Sequence, residues 1–374
     1  MQGAAAPIAT LVVAGGFVLA FIFGAVANRS NFCVMGAVSD VVNIGHWGRM
    51  RMWLLAMAVA IVGATLLAAT GQVDLSKSIA QRPSISWLSL LIGGFSFGVG
   101  MTLAGGCANK NLVRLGGGSL RSLVVLVFVA ISAYMTLKGL FGQWRASLLD
   151  PVALNLGAWG WKDQSLATLV ASVGGVSPRA ALIATALVLA AALAVFVFKD
   201  ARFRANTVQL TGGAIIGALV VGGWYMSGHL GFGENPETLE HVFFATNSRA
   251  LESMSFVAPL AYSLELLLLW TDKSLHLSFG VASALGVVLG SAAVAWRTET
   301  FRWEGFASLD DLRNQLGGAV LMGFGGVTAL GCTVGQGITG ISTLAIGSFI
   351  ATGAIVAGSV ATLKYVLWRE ERGG

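Results

Sequence analysis

Apolar residues come in long unbroken runs along this chain, separated by short polar clusters, with neither the alternation of a half-buried strand nor the one-sided stripe of a surface helix. Runs near 7–27, 52–71, 87–106, 120–137, 179–198, 207–226, 276–296, 314–331 and 345–367 approach or exceed the roughly 18 to 20 residues that a helix needs to cross a bilayer core. The pattern predicts an all-α, polytopic membrane protein with nine spans in one transmembrane unit over residues 1–374. Two shorter apolar pieces, 31–44 and 254–270, are left over. If 254–270 enters the membrane and returns, the span count stays odd and the termini lie on opposite sides.

Composition points the same way. The 374 residues are 56% hydrophobic and only 11% charged, with a mean hydropathy of +0.79, far from the profile of a soluble domain. Pro7 to Ala27 carries no charge and has no basic segment in front of it, so it is expected to be a first span, not a cleaved signal. Cytoplasmic loops are enriched in Lys and Arg. With the N-terminus outside, 14 of the 23 basic residues fall on inner segments and 8 on outer ones. The expected setting is the lipid bilayer of a bacterial inner membrane, with the N-terminus (Gly3) periplasmic and the C-terminus (Gly373) cytoplasmic. The net charge of +6 is thus spent in loops, and without an aromatic–basic module beside it points to no nucleic-acid partner.

One frame occurs twice. Gly93-x4-Gly98-x-Gly100-x3-Ala104-x-Gly106-Cys107 returns as Gly318-x4-Gly323-x-Gly325-x3-Ala329-x-Gly331-Cys332, with six positions matching at an offset of 225. The first spans align instead at 197, Gly15-Gly16 with Gly212-Gly213, so the second half carries 28 extra residues, which fall near 230–270. This predicts a pseudo-repeat over about 7–137, a linker span at 179–198 and a second pseudo-repeat over about 207–367. An odd linker inverts the second copy, and inverted repeats with a path at their interface are a transporter signature.

The chain has three cysteines, an odd number without CxxC spacing, which argues against a disulfide framework or a redox pair. A cysteine after a glycine in a membrane helix usually serves close packing. Alanine or serine would pack as well, so sulfur recurring in both copies favours chemistry at Cys107 and Cys332. The third, Cys33, sits in "NRSNFCVMGAVSD" with Arg29, Asn31 and Asp40, polar groups that are rarely idle at such depth. Polar, glycine-rich segments follow the repeat cysteines, carrying Asn109, Lys110 and Arg114 in one and Gly335 and Gln336 in the other. Behind Gly106 and Gly331 they can expose backbone N–H groups as an anion cradle, or be solvated turns with interfacial basics. Glu265 is expected to face water rather than carry a proton. His46, His229, His241 and His276 show no ligand spacing, and no metal or cofactor is expected.

These residues resemble the YeeE/YedE family, also called the sulphur transport or thiosulfate transporter family, over nearly the whole chain. Its Arg-x-x-Phe-Cys start looks like Arg29-Ser-Asn-Phe32-Cys33, its Ala-Gly-Gly-Cys motif like Ala104 to Cys107, and its Gly-Cys-x-x-Gly motif like Gly331 to Gly335. Asn31 and Lys110 depart from it, standing where Arg or Ser and glycine are common. The resemblance implies an inner-membrane importer, not an enzyme, in which Cys33, Cys107 and Cys332 line the path of thiosulfate and pass it on through S–H to sulfur hydrogen bonds. It also suggests a small cytosolic sulfurtransferase of the TusA type as partner. Another sulphur or selenium cargo, or a membrane thiol oxidoreductase, are the alternatives. Pseudo-symmetry places Cys33, whose counterpart at offset 197 is Leu230, between Cys107 and Cys332. The resemblance tilts Cys107 to the outer end.

Overall fold

The computed structural model describes residues 5–235, 239–306 and 308–373; Gly3 lies outside them. Where no water can satisfy backbone N–H and C=O groups, a chain must close those bonds within itself, and this one does so almost wholly as helices. The first half runs α1 (Ala5–Arg29), α2 (Val34–Ile44), α3 (Gly48–Ala69), α4 (Trp87–Leu103), α5 (Ala108–Gly116) and α6 (Leu120–Lys138). Two short helices, α7 (Leu140–Trp144) and α8 (Leu166–Gly174), lead to α9 (Pro178–Phe198) and α10 (Ala201–Ala205). The second half runs α11 (Thr207–Tyr225), α12 (Val257–Leu268), α13 (Phe279–Arg297), α14 (Leu309–Thr328) and α15 (Ile346–Gly373). The described strands make only two-stranded ribbons in connecting segments: β1 (Ser84–Ile85) with β2 (Leu154–Asn155), and β3 (Phe232–Glu234) with β4 (His241–Phe243).

Eight helical segments among the described residues are long and apolar enough to cross a membrane. The ninth expected span, 314–331, falls largely in α14, whose opening turns carry Asp310, Asp311 and Arg313 and whose apolar remainder packs between α4 and α6. The 254–270 piece forms α12, whose 12 residues reach about 18 Å, well short of a bilayer core of about 30 Å. Glu265 on α12 does not face water. Its side chain is 6% exposed and forms an ion pair with the half-exposed Lys138 at the end of α6, because a buried carboxylate is costly until it finds an opposite charge.

The duplicated glycine frames pack on each other. A Cβ at Gly100 would lie 2.5 Å from the Gly318 carbonyl oxygen, and one at Gly318 would lie 2.6 Å from the Gly100 oxygen. Farther along, Gly325 abuts Phe97, and Gly93 abuts Ala329. Positions that rise along α4 meet positions that fall along α14, so the two helices run antiparallel, and only glycine permits backbones this close. Cys107 follows the end of α4 and Cys332 the end of α14, so the pair that carries them is locked together by its backbones.

Candidate functional site

All three thiols are free and buried, with Cys33 5%, Cys107 1% and Cys332 0% exposed. Each stands where a broken helix restarts. Cys33 is the N-cap of α2, in extended backbone, and its Sγ accepts from the Gly36 N–H at 3.3 Å. Cys107 holds the same place before α5, without a formed cap bond. After α14 the chain turns at Leu330, whose φ is +59°, and the Cys332 Sγ accepts from the Gly335 N–H at 3.4 Å, at the start of a π-helical segment, Gly335–Gly340. Helix starts leave backbone N–H groups unbonded and carry partial positive charge, so the α2 and α5 starts set a polarisable sulfur beside donors suited to an anion.

The thiols form one group. Cys107 lies within electrostatic reach of both Cys33 and Cys332, and the Thr333 side chain lies beside it. Cys107 thus has both other thiols near it. Beyond Cys33, α2 folds back, and its Asp40 is held by Arg49 of α3 through a two-pronged bond of 2.6 and 2.5 Å. At the other end, Gly335 abuts Ser255, and Gln81 donates to the Thr343 carbonyl at 2.5 Å, which puts the Cys332 segment against the 70–86 and 231–256 connections.

Basic groups gather around Cys33 and Cys107. A Cβ at Gly36 would meet an Arg49 guanidinium nitrogen at 2.3 Å and the Cys33 sulfur at 3.4 Å, so Arg49 reaches over the start of α2. Lys110 is within electrostatic reach of Cys33 and Cys107, and its ammonium donates to Asn31 Oδ1 at 2.6 Å. Asn31 adopts a left-handed φ of +52° at the turn out of α1. Arg114 donates to the Gly105 carbonyl at 2.8 Å and so braces the loop that carries Gly106 and Cys107. Asn109 is buried, with its Oδ1 unpartnered. Around Cys332, the Gln336 amide donates to the Ala329 carbonyl at 2.6 Å, and a Cβ at Gly331 would lie 3.1 Å from the Gln336 nitrogen. Arg29 is exposed at the end of α1, and no described hydrogen bond or ion pair draws it to the thiols.

Three participants escaped the sequence reading. Arg49 follows Asp40 by nine residues across a turn, a spacing without meaning until α2 is seen to fold back. Asn111 donates to the Gly106 and Cys107 carbonyls at 2.9 and 3.2 Å, clamping that turn. Thr333 is buried, and its hydroxyl has no well-formed hydrogen bond.

Known proteins resemble this chain over most of its length. A family model described as "Sulphur transport" matches residues 29–361. The thiosulfate transporter TsuA of Spirochaeta thermophila is 25% identical over 366 residues, covering 95% of this chain and 98% of that protein. The protein of the same name from Escherichia coli is 26% identical over 345 residues, 87% of each chain. The match takes in all three cysteines and most of the helices above, and this chain belongs to the sulphur transport family, as a multi-pass membrane transporter and not an enzyme.

Proposed function

We propose that this transporter imports thiosulfate, or a close sulphur oxyanion, and passes it along Cys332, Cys107 and Cys33 in that order. One observation carries the reading: Cys107 lies within reach of both other thiols, so a small anion leaving one has the next at hand. Thiosulfate pairs hard oxygens with one soft sulfur, and a neutral S–H is a weak donor. Weak donors suit a path that must admit an ion and release it. Arg49, Lys110 and Arg114 offset its charge near the exit, and the inverted pseudo-repeat supplies the paired frames that hold the middle and entry thiols. With the charge-derived orientation, the Cys332 end is periplasmic and the Cys33 end cytoplasmic, where an acceptor of the TusA type would take the product. This reverses the tilt that put Cys107 outermost, because α4 and α14 lie antiparallel with Cys332 beside the segments assigned outside.

The test is uptake of labelled thiosulfate by cells lacking other importers. Expression of this protein should restore it, and no restoration at verified membrane expression would remove the substrate. Retention of another sulphur or selenium species by the purified protein, found by mass spectrometry, would name a different cargo.

A further inference from the structure

A cavity of about 120 Å³ opens beside the Cys332 segment, lined in part by Ser78, Asn247, Glu252, Ser255, Tyr262 and Gln336. Several of its polar groups are buried oxygens without a partner. Ser78 and Gln336 are only 4% and 3% exposed, and Ser78 Oγ, Asn247 Oδ1 and Gln336 Oε1 are all buried without a hydrogen-bond partner. Because the Gln336 amide nitrogen is committed to the Ala329 carbonyl, its oxygen is left facing Gly340, another lining residue, whose Cβ would lie 2.7 Å away. The residues that carry these three unpartnered oxygens all line this one cavity.

The fourth group is a carboxyl. Glu252 accepts from the Ser248 N–H at 2.9 Å, but no Lys, Arg or His among the described residues forms an ion pair with it. Burial raises its carboxyl above the usual carboxylate range. A carboxylate that finds no positive side chain in a buried site calls for another positive charge or a proton. An anion is ill suited to a space whose one charge is negative. A hard cation prefers oxygen ligands, and a single carboxylate among neutral oxygens matches a monovalent one.

We propose that this cavity is a sodium-ion site, with Glu252 as its charged ligand and the side-chain oxygens of Ser78, Asn247 and Gln336 as neutral ligands. Gln336 ties the site to the path. Its backbone N–H donates to the Cys332 carbonyl at 2.7 Å, so an ion held by its side chain fixes the turn that presents the entry thiol. This coupling rests on the reading of Cys332 as part of the anion path; the ion site itself does not.

The test is binding of radioactive sodium to the purified full-length protein in detergent, in choline buffer without thiosulfate, with potassium as competitor. Saturable binding that potassium displaces poorly is expected, with Glu252→Gln and Asn247→Ala each weakening it roughly tenfold or more. Both variants should elute and melt as folded protein in choline, so a loss of binding reports the site and not the fold. No saturable binding by folded wild type, or binding undiminished in Glu252→Gln, overturns the proposal. Thiosulfate uptake that depends on pH but not on sodium overturns it in favour of a proton at Glu252. Sodium binding with no thiosulfate uptake would leave the site standing and defeat the substrate reading instead.

Discussion

A methyl group added at Gly318 tests whether the contact between the glycine frames sets the thiol geometry. It would lie 2.6 Å from the Gly100 oxygen, 2.7 Å from the Ala104 nitrogen and 3.0 Å from the Leu103 Cβ. Ordinary contact needs about 3.4 Å, so α4 and α14 must part by about 0.8 Å. The two closest atoms are backbone, which cannot swing aside as a side chain would. Overpacking of this kind costs about 1–3 kcal/mol, and alanine's better helix propensity returns at most about 1 kcal/mol, leaving a net loss of up to about 2 kcal/mol when that return is full. The shift lands on Ala104, three residues before Cys107, and a displacement near 1 Å is enough to lower uptake by roughly tenfold.

Gly317 supplies the control on the same helix, because nothing lies within 4 Å of a Cβ there. Gly317→Ala should gain up to about 1 kcal/mol from propensity alone. The assay is the thermal unfolding midpoint of both purified variants in detergent, followed by thiosulfate uptake at matched expression. Gly318→Ala should melt below wild type and Gly317→Ala at or above it. Equal midpoints, or a more stable Gly318→Ala, would refute the close-packed contact.

Three further outcomes are expected. Cys107→Ser and Cys332→Ser should fold normally yet lose uptake by roughly tenfold or more, since a hydroxyl is smaller, harder and aims its hydrogen differently, and alanine should be at least as severe; wild-type uptake in the alanine variants would return these residues to packing. Lys138→Met should lower the unfolding midpoint by leaving the Glu265 carboxylate buried and uncompensated, and adding Glu265→Gln should recover much of the loss; equal midpoints for the single and double variants would show that the pair does not couple. Because burial raises the Glu252 carboxyl, the folded protein keeps a proton there at a pH where the unfolded chain has lost it, so in sodium-free buffer its contribution is present at low pH and is lost as pH rises through the raised value. Glu252→Gln should flatten that slope relative to wild type, with Tyr262 the other titratable group lining the cavity, and an unchanged slope would place the titration elsewhere.

Much of this was legible because a bilayer leaves few choices. A run long enough to span must be a helix, and a piece as short as α12 cannot span, so both followed from counting apolar residues. The paired cysteines were legible because sulfur recurred in a glycine frame, and the frames do meet. What the sequence hid was direction. Offset arithmetic paired Cys33 with Leu230, whereas in the folded chain the residue standing before the second half's short helix is Phe256, buried and tilted against the Phe23 ring. The extra segment lies before that point, so alignment from the first spans slid past it. Arg49, Asn111 and Glu265 eluded reading for a related reason: their partners are set by how α2, α5 and α12 fold back, and fold-back leaves no periodic mark.

The charge on the cargo bears on what must move with it. Thiosulfate carries two negative charges, so its entry against an inside-negative potential of about 100 mV costs about 4.6 kcal/mol. On the proposed path Arg49, Lys110 and Arg114 would ease the ion's passage past Cys107 and Cys33, but as fixed groups they would contribute nothing over a complete cycle. Only a travelling cation does. One sodium ion at Glu252 cancels one of the two charges and leaves about 2.3 kcal/mol still opposing entry, to be met by the sodium gradient or by consumption of the anion inside. A transporter with a single such site therefore carries net negative charge inward, and its uptake in proteoliposomes should run faster with the interior clamped positive than negative. Uptake indifferent to voltage would mean that two cations travel with each anion, and uptake favoured by a negative interior would mean at least three; either result would show that the cavity beside Cys332 is not the whole of the coupling machinery.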